Sequence, residues 1–90
     1  MKVHQLKILP GYFLSVRDGS KTFEIRRNDR SFATGDVLIL QEWDDKKEEY
    51  TGRFEVRIAT YITDFEQKPG NVVIGTKKEI DDQSERTEER

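Results

Sequence analysis

The residues best suited to chemistry in this 90-residue chain crowd between positions 17 and 30. Five basic residues stand there, Arg17, Lys21, Arg26, Arg27 and Arg30, against three acids, Asp18, Glu24 and Asp29. Lys21 and Glu24 are three apart. Desolvated together, a lysine and a glutamate can serve as base and acid. Arg26 carries a planar fork that suits bidentate bonding of phosphate or carboxylate. Asn28 has both donor and acceptor groups, as reading a base edge requires. Asn28 and Asp29 are equally turn residues whose side chains bond their own backbone. Arg30 is harder to explain as turn chemistry and is a candidate phosphate contact. The bland alternative is that Glu24 and Arg26 form a cross-strand salt-bridge pattern and Lys21 is solvated.

Other candidates are thinner. His4 is the only histidine and a possible general base near neutral pH, but at a strand start it reads first as a hydrogen-bonded edge residue. Trp43 and Tyr61 are candidates for stacking a base. Trp43 reads as core, whereas Tyr61 sits on the polar face of its strand and reads as exposed. The serines have no His–Asp arrangement that would make a hydrolase triad. With one histidine and no cysteine, only carboxylates remain as metal ligands. Asp44, Asp45, Glu48 and Glu49 lack the glycine and spacing of a calcium loop. No metal site and no cofactor are expected.

The elements that must position these groups follow from periodicity. His4, Leu6 and Ile8 alternate with Gln5, Lys7 and Leu9, so residues 3–9 read as a strand. Pro10 opens a short helix over 10–18, with Tyr12, Phe13 and Val16 on its apolar face. Gly19 closes it in the left-handed conformation. A second strand over 21–27 alternates Phe23 and Ile25 with Thr22, Glu24, Arg26 and, just beyond it, Asn28, which places those four on one polar face. Lys21 can share a cleft with Glu24 only from the turn entering that strand. Residues 28–31 and Gly35-Asp36 are turns, with Phe32 as an anchor. Residues 37–43 form a third strand, central because its first half is apolar on both faces. A charged hairpin connection covers 44–52. The fourth strand, 53–63, sets Phe54, Val56, Ile58, Thr60 and Ile62 against Glu55, Arg57, Ala59 and Tyr61. After the Pro69-Gly70 turn, 71–75 is a last strand. Residues 77–90 hold ten charged side chains and a single large apolar one, Ile80, which reads as a disordered tail.

One helix cannot cover two sheet faces, so the economical fold is a sheet that curls on itself. The expectation is an α+β, mostly β domain at 1–76: a small mixed barrel of about five strands with one short helix between the first two. The net charge of −2 hides +4 over residues 1–30, −4 over 31–76 and −2 over 77–90. That asymmetry excludes a broad polycation that wraps duplexes and leaves room for a local basic patch. Absence of cysteine suits a reducing cytoplasm. No apolar run approaches the ~20 residues that span a bilayer, and the first residues lack the apolar stretch of a signal peptide.

Gly19-x-Lys21-Thr22-x-Glu24-x-Arg26, after a short helix and before Gly35-Asp36-Val37-Leu38, resembles the ASCH domains of the PUA-like superfamily. His4-x-Leu6-Lys7, Tyr12-Phe13, Asn28-Asp29-Arg30, Phe32 and Glu42-Trp43 are similar to a small uncharacterised bacterial and phage subgroup, and the resemblance covers residues 4 to about 75. It implies a PUA-like barrel with a cleft beside the helix and second strand, lined by Lys21, Thr22, Glu24, Arg26 and Asn28. It also implies binding of RNA or a nucleotide-like ligand. Some ASCH members look like enzymes, a ribonuclease or an amidohydrolase acting on acylated cytidine. In the latter a lysine matches Lys21, but a threonine stands where this chain has Glu24.

The leading expectation is thus a binding module: Arg26 and Arg30 hold phosphate, Asn28 or Tyr61 reads the base, and Thr22 lines the cleft. One alternative is a small hydrolase using Lys21 and Glu24. Another is an adaptor that recruits a protein through the acidic hairpin or the tail.

Overall fold

The structure, a computed structural model, describes residues 1–78. Its elements are β1 (Val3–Ile8), α1 (Pro10–Arg17), β2 (Phe23–Arg27), β3 (Val37–Asp44), β4 (Glu49–Thr63) and β5 (Asn71–Lys78). One sheet holds all five strands in the order β1-β3-β4-β5-β2. The β1–β3 pair is parallel and the other three are antiparallel, which makes the sheet mixed. It curls into a half-barrel. The fold is α+β and mostly β, with the helix between the first two strands. The barrel is left unclosed between β1 and β2, the two strands at the ends of the sheet order.

β1 and β3 fill the barrel as their alternation dictates. His4, Leu6 and Ile8 on β1 and Leu38, Leu40 and Glu42 on β3 are all buried. α1 lays Phe13 and Val16 onto the same core. Its last turn is held by Arg57, whose Nη2 donates to the Val16 carbonyl at 2.9 Å, a cation at the negative end of the helix dipole. Gly19, at φ +89°, stops the helix there.

Two strands are turned over relative to the sequence expectation. In β2 the apolar residues face out: Phe23 and Ile25 are 42% and 52% exposed, while Glu24 is buried at 3%. Register with β5 fixes this, since Glu24 and Arg26 stand opposite Ile74 and Val72, whose side chains belong to the core. In β4, Arg57 and Ala59 are inside and Phe54 is outside. A register shift between Ala59 and Tyr61 gives Thr60 no partner. That extra residue changes the parity of the strand, so Ile62 also packs on the core. Trp43 is half-buried on the outer face, not in the core; Lys7 Nζ sits 3.7 Å from its ring centroid.

Boundaries move as well. β4 begins at Glu49, because Trp43 pairs with Tyr50 and Asp44 with Glu49; the hairpin connection is shorter than 44–52. β5 runs on to Lys78, where Thr76, Lys77 and Lys78 pair with Ala59, Ile58 and Arg57. Lys77 and Lys78 are therefore strand, and the rest of the expected tail lies outside the described residues. Among those residues no helix is long and apolar enough to cross a membrane.

Asp36, read from the sequence as a turn residue, is a buried clamp. Its carboxylate accepts from the Lys2 N–H at 3.0 Å and the Ala33 N–H at 3.0 Å. It also lies 2.9 Å from His4 Nε2. The His4 bond, then the backbone donors, hold its pKa down from 3.8 to about 2. His4 packs its ring on Phe32, centroids 4.6 Å apart, so the histidine fastens β1 to the turn before β3.

Candidate functional site

The gap between β1 and β2 is a cleft of about 420 Å³, within the range of small-ligand sites. β1 and the residue after it supply Lys7, Ile8 and Leu9 to one wall. β2 supplies Phe23, Glu24, Ile25 and Arg26 to the other, and α1 adds Tyr12 at the mouth. Lys21 enters from the connection between α1 and β2. That connection is tightly built. Ser20 donates through N–H and Oγ to Asp18 Oδ1, at 2.8 and 2.7 Å. The Lys21 N–H reaches back to the Ser15 carbonyl at 3.0 Å.

Lys21 thus lies ahead of the strand, and its side chain turns onto the face of Glu24. Nζ donates to Glu24 Oε2 at 2.6 Å and to the Phe23 carbonyl at 2.6 Å. Arg26 donates from Nε and Nη2 to the other oxygen, Glu24 Oε1, at 3.2 and 2.9 Å. Glu24 is therefore a buried carboxylate with a cation on each oxygen. The Lys21 and Arg26 side chains remain 17% and 23% exposed toward the cleft. Lys21 Nζ also lies 5.0 Å from the Phe23 ring centroid and 5.9 Å from that of Tyr12, cation–π distances.

The remaining candidates lie elsewhere. Thr22 is exposed and outside the cleft lining; its carbonyl continues the β2–β5 ladder by accepting the Thr76 N–H at 3.0 Å. Asn28 does turn chemistry, its Oδ1 accepting the Phe32 N–H at 3.0 Å. Arg30 ties the loop to β1, Nη1 donating to the Gln5 carbonyl at 2.9 Å. Tyr61 is 67% exposed on the outer face of β4. Lys21, Glu24 and Arg26 come together; Thr22, Asn28, Arg30 and Tyr61 do not join them.

Sequence reasoning passed over Lys7, Tyr12 and Phe23 as site residues. Tyr12 and Phe13 both stand at helical spacing from Val16, and spacing alone does not say which of the two rings is buried. Among the described residues no group of three or more His, Cys, Asp or Glu side chains converges as metal ligands would.

A family model described as "Domain of unknown function (DUF3850)" matches residues 3–76. The "Uncharacterized 12.9 kDa protein in GpA 3'region" of Escherichia phage P2 is 44% identical over 65 residues. That alignment takes in 71% of this chain and 57% of the phage protein, so the chain spans little more than half the length of this curated relative. The family match starts at the first residue of β1 and ends inside β5, taking in both walls of the cleft, and the chain belongs to the DUF3850 family.

Proposed function

We propose that the cleft binds a nucleotide-like ligand, free or as a unit of RNA, without transforming it. One observation carries this reading: two cations converge on one buried carboxylate inside an aromatic-walled cleft. Glu24 offsets one of the two charges and fixes both side chains in place. The group as a whole keeps a formal charge of +1, and Lys7 adds another at the rim. Arg26 uses two of its five N–H donors on Glu24; the others are available to a phosphate. Tyr12 and Phe23 offer ring faces to a base. The resemblance to ASCH domains of the PUA-like superfamily supports the same ligand class. Such a ligand and a chain free of cysteine suit the cytoplasm.

The hydrolase reading draws on the 2.6 Å contact between Lys21 and Glu24. Against it, both carboxylate oxygens are already engaged by cations, which fits an orienting group better than a proton carrier. One experiment separates the two. Wild type, Lys21→Ala and Arg26→Ala are incubated with labelled single-stranded RNA, nucleoside monophosphates and N-acylated nucleosides, and binding and product are followed together. Salt-sensitive binding that Arg26→Ala weakens about tenfold or more, with no product, is the expected result. Turnover that Lys21→Ala abolishes would replace binding by catalysis. Neither binding nor turnover would hand the protein to the adaptor reading.

A further inference from the structure

Both walls of the cleft are strand edges, and the register shows which backbone groups they turn into it. In a strand the N–H and C=O of one residue point to one side and those of the next to the other. On β1 the Lys2 carbonyl accepts the Val37 N–H at 2.8 Å. Even-numbered residues therefore bond β3, and the backbone of Val3, Gln5 and Lys7 turns to the gap. On β2 the Thr22 carbonyl accepts the Thr76 N–H at 3.0 Å, and the Asn28 N–H donates to the Gly70 carbonyl at 2.8 Å. Even-numbered residues bond β5 here too, and the backbone of Phe23, Ile25 and Arg27 turns to the gap. A cation interrupts each edge: Arg30 Nη1 holds the Gln5 carbonyl at 2.9 Å, and Lys21 Nζ holds the Phe23 carbonyl at 2.6 Å. Lys7 and Ile25 both line the cleft. Each keeps an N–H and a C=O with no partner among the described residues.

We propose that the cleft reads the hydrogen-bonding edge of an unpaired base through the main chain, with the N–H and C=O of Ile25 and Lys7 as the readers. The Watson–Crick edge of each base sets a donor beside an acceptor, and proteins recognise single strands through it. The adjacent N–H and C=O of one strand residue match such a pair. The inference rests on the nucleotide-like ligand assigned to the cleft and adds how its base is recognised. Ile25 directly precedes Arg26 in the chain, so reader and phosphate-holding cation are neighbours on one wall. An added peptide strand needs a continuous free edge. The two capped carbonyls leave one whole N–H and C=O pair free on each wall within the cleft, enough for a ring and too short for a strand. In a duplex the Watson–Crick edge is already occupied, so only unpaired bases qualify.

Nucleoside monophosphates of the common bases, a counterpart of each methylated on its Watson–Crick edge, and ribose 5-phosphate are titrated onto the full chain, with amide exchange followed at Lys7 and Ile25. The best-bound monophosphate should lose about tenfold or more in affinity on methylation, as a hydrogen bond goes and its partner is left unpaired. It should slow exchange at both amides, and ribose 5-phosphate should slow neither. Ile25→Pro removes an N–H that no ladder uses, at an edge position where proline is tolerated. It should weaken the monophosphate about tenfold and leave ribose 5-phosphate binding unchanged, which also reports an intact fold. Ile25→Val keeps the main chain and should stay within about twofold of wild type. Indifference to methylation, or unchanged exchange at both amides, would overturn main-chain reading and leave the cleft reading standing. Protection of the two amides by an extended peptide and by no monophosphate would overturn it in favour of strand addition. No binding of any monophosphate or of ribose 5-phosphate would overturn the cleft reading as well.

Discussion

At the scale of single residues, buried carboxylates organise this protein, and each does so through partners it cannot lose cheaply. Removing Glu24 leaves Lys21 and Arg26 facing each other at partly buried positions, where an uncompensated charge is expensive. Glu24→Ala should destabilise by about 2–4 kcal/mol, read as a lower denaturant midpoint, and should weaken ligand binding because neither cation is held. Asp36 gives a pH signature. Its folded pKa, about 2, lies below its ordinary 3.8. The folded state therefore holds its carboxylate ionised where the unfolded state has begun to take up the proton. The contribution is complete above about pH 4 and is lost as pH falls toward 2. Asp36→Asn should be less stable than wild type at pH 7, and the gap should narrow across that window, as followed by thermal unfolding at successive pH values. Equal midpoint shifts for the two proteins from pH 7 to pH 2 would contradict the clamp.

At the scale of elements, alternation was legible but its direction was not always. β1 read correctly because in one parity every inward residue is apolar or, like His4, has a buried partner in Asp36. β3 read correctly as to its central place, but its inward parity takes in Glu42, paired with Arg53, and leaves Trp43 outside. β2 and β4 have large apolar residues in the parity that faces out, and the residues that face in are Glu24 and Arg57. A pattern of apolar and polar residues cannot show that a buried charge has found its counter-charge close by in the chain, as Glu24 does in Lys21 and Arg26 and Arg57 does in Glu55. Nor can it show a change of parity within one strand: Thr60 has no composition signal, yet it decides that Arg57 and Ile62 share the interior. The bulge can be tested directly. Deleting Thr60 should abolish the cooperative transition, since restoring regular pairing would turn one half of β4 inside out. Thr60→Ala, at an exposed position, should change stability by no more than about 0.5 kcal/mol. The candidate site was half legible for the same reason. Lys21, Glu24 and Arg26 were found by type and spacing; the apolar walls were hidden because Tyr12, Phe23 and Ile25 look like core residues. Gly19 was plain from its place after the helix, and Gly19→Ala should cost about 1 kcal/mol at its positive φ.

At the scale of the whole molecule, the two terminal strands of the sheet order are also the two walls of the cleft. Backbone groups of β1 and β2 that point into the gap have no strand opposite them, whereas those of β3, β4 and β5 over their shared lengths are laddered on both sides. Hydrogen exchange should accordingly alternate along β1, slow where an amide bonds β3 and faster where it faces the gap, and a bound ligand should slow the second set. Arg30→Ala, by freeing the Gln5 carbonyl, should raise exchange along β1 while changing stability by about 1 kcal/mol or less. The sheet order also sets a timetable for synthesis. β1 finds its partner only when β3 has been made, and β2 waits for β5, the last described strand. A nascent chain that has reached β4 already carries Lys21, Glu24 and Arg26, yet nothing holds their strand in register. On the ribosome the cleft is therefore the last part of this sheet to form, and a chain released before β5 would carry the residues of the site without the site.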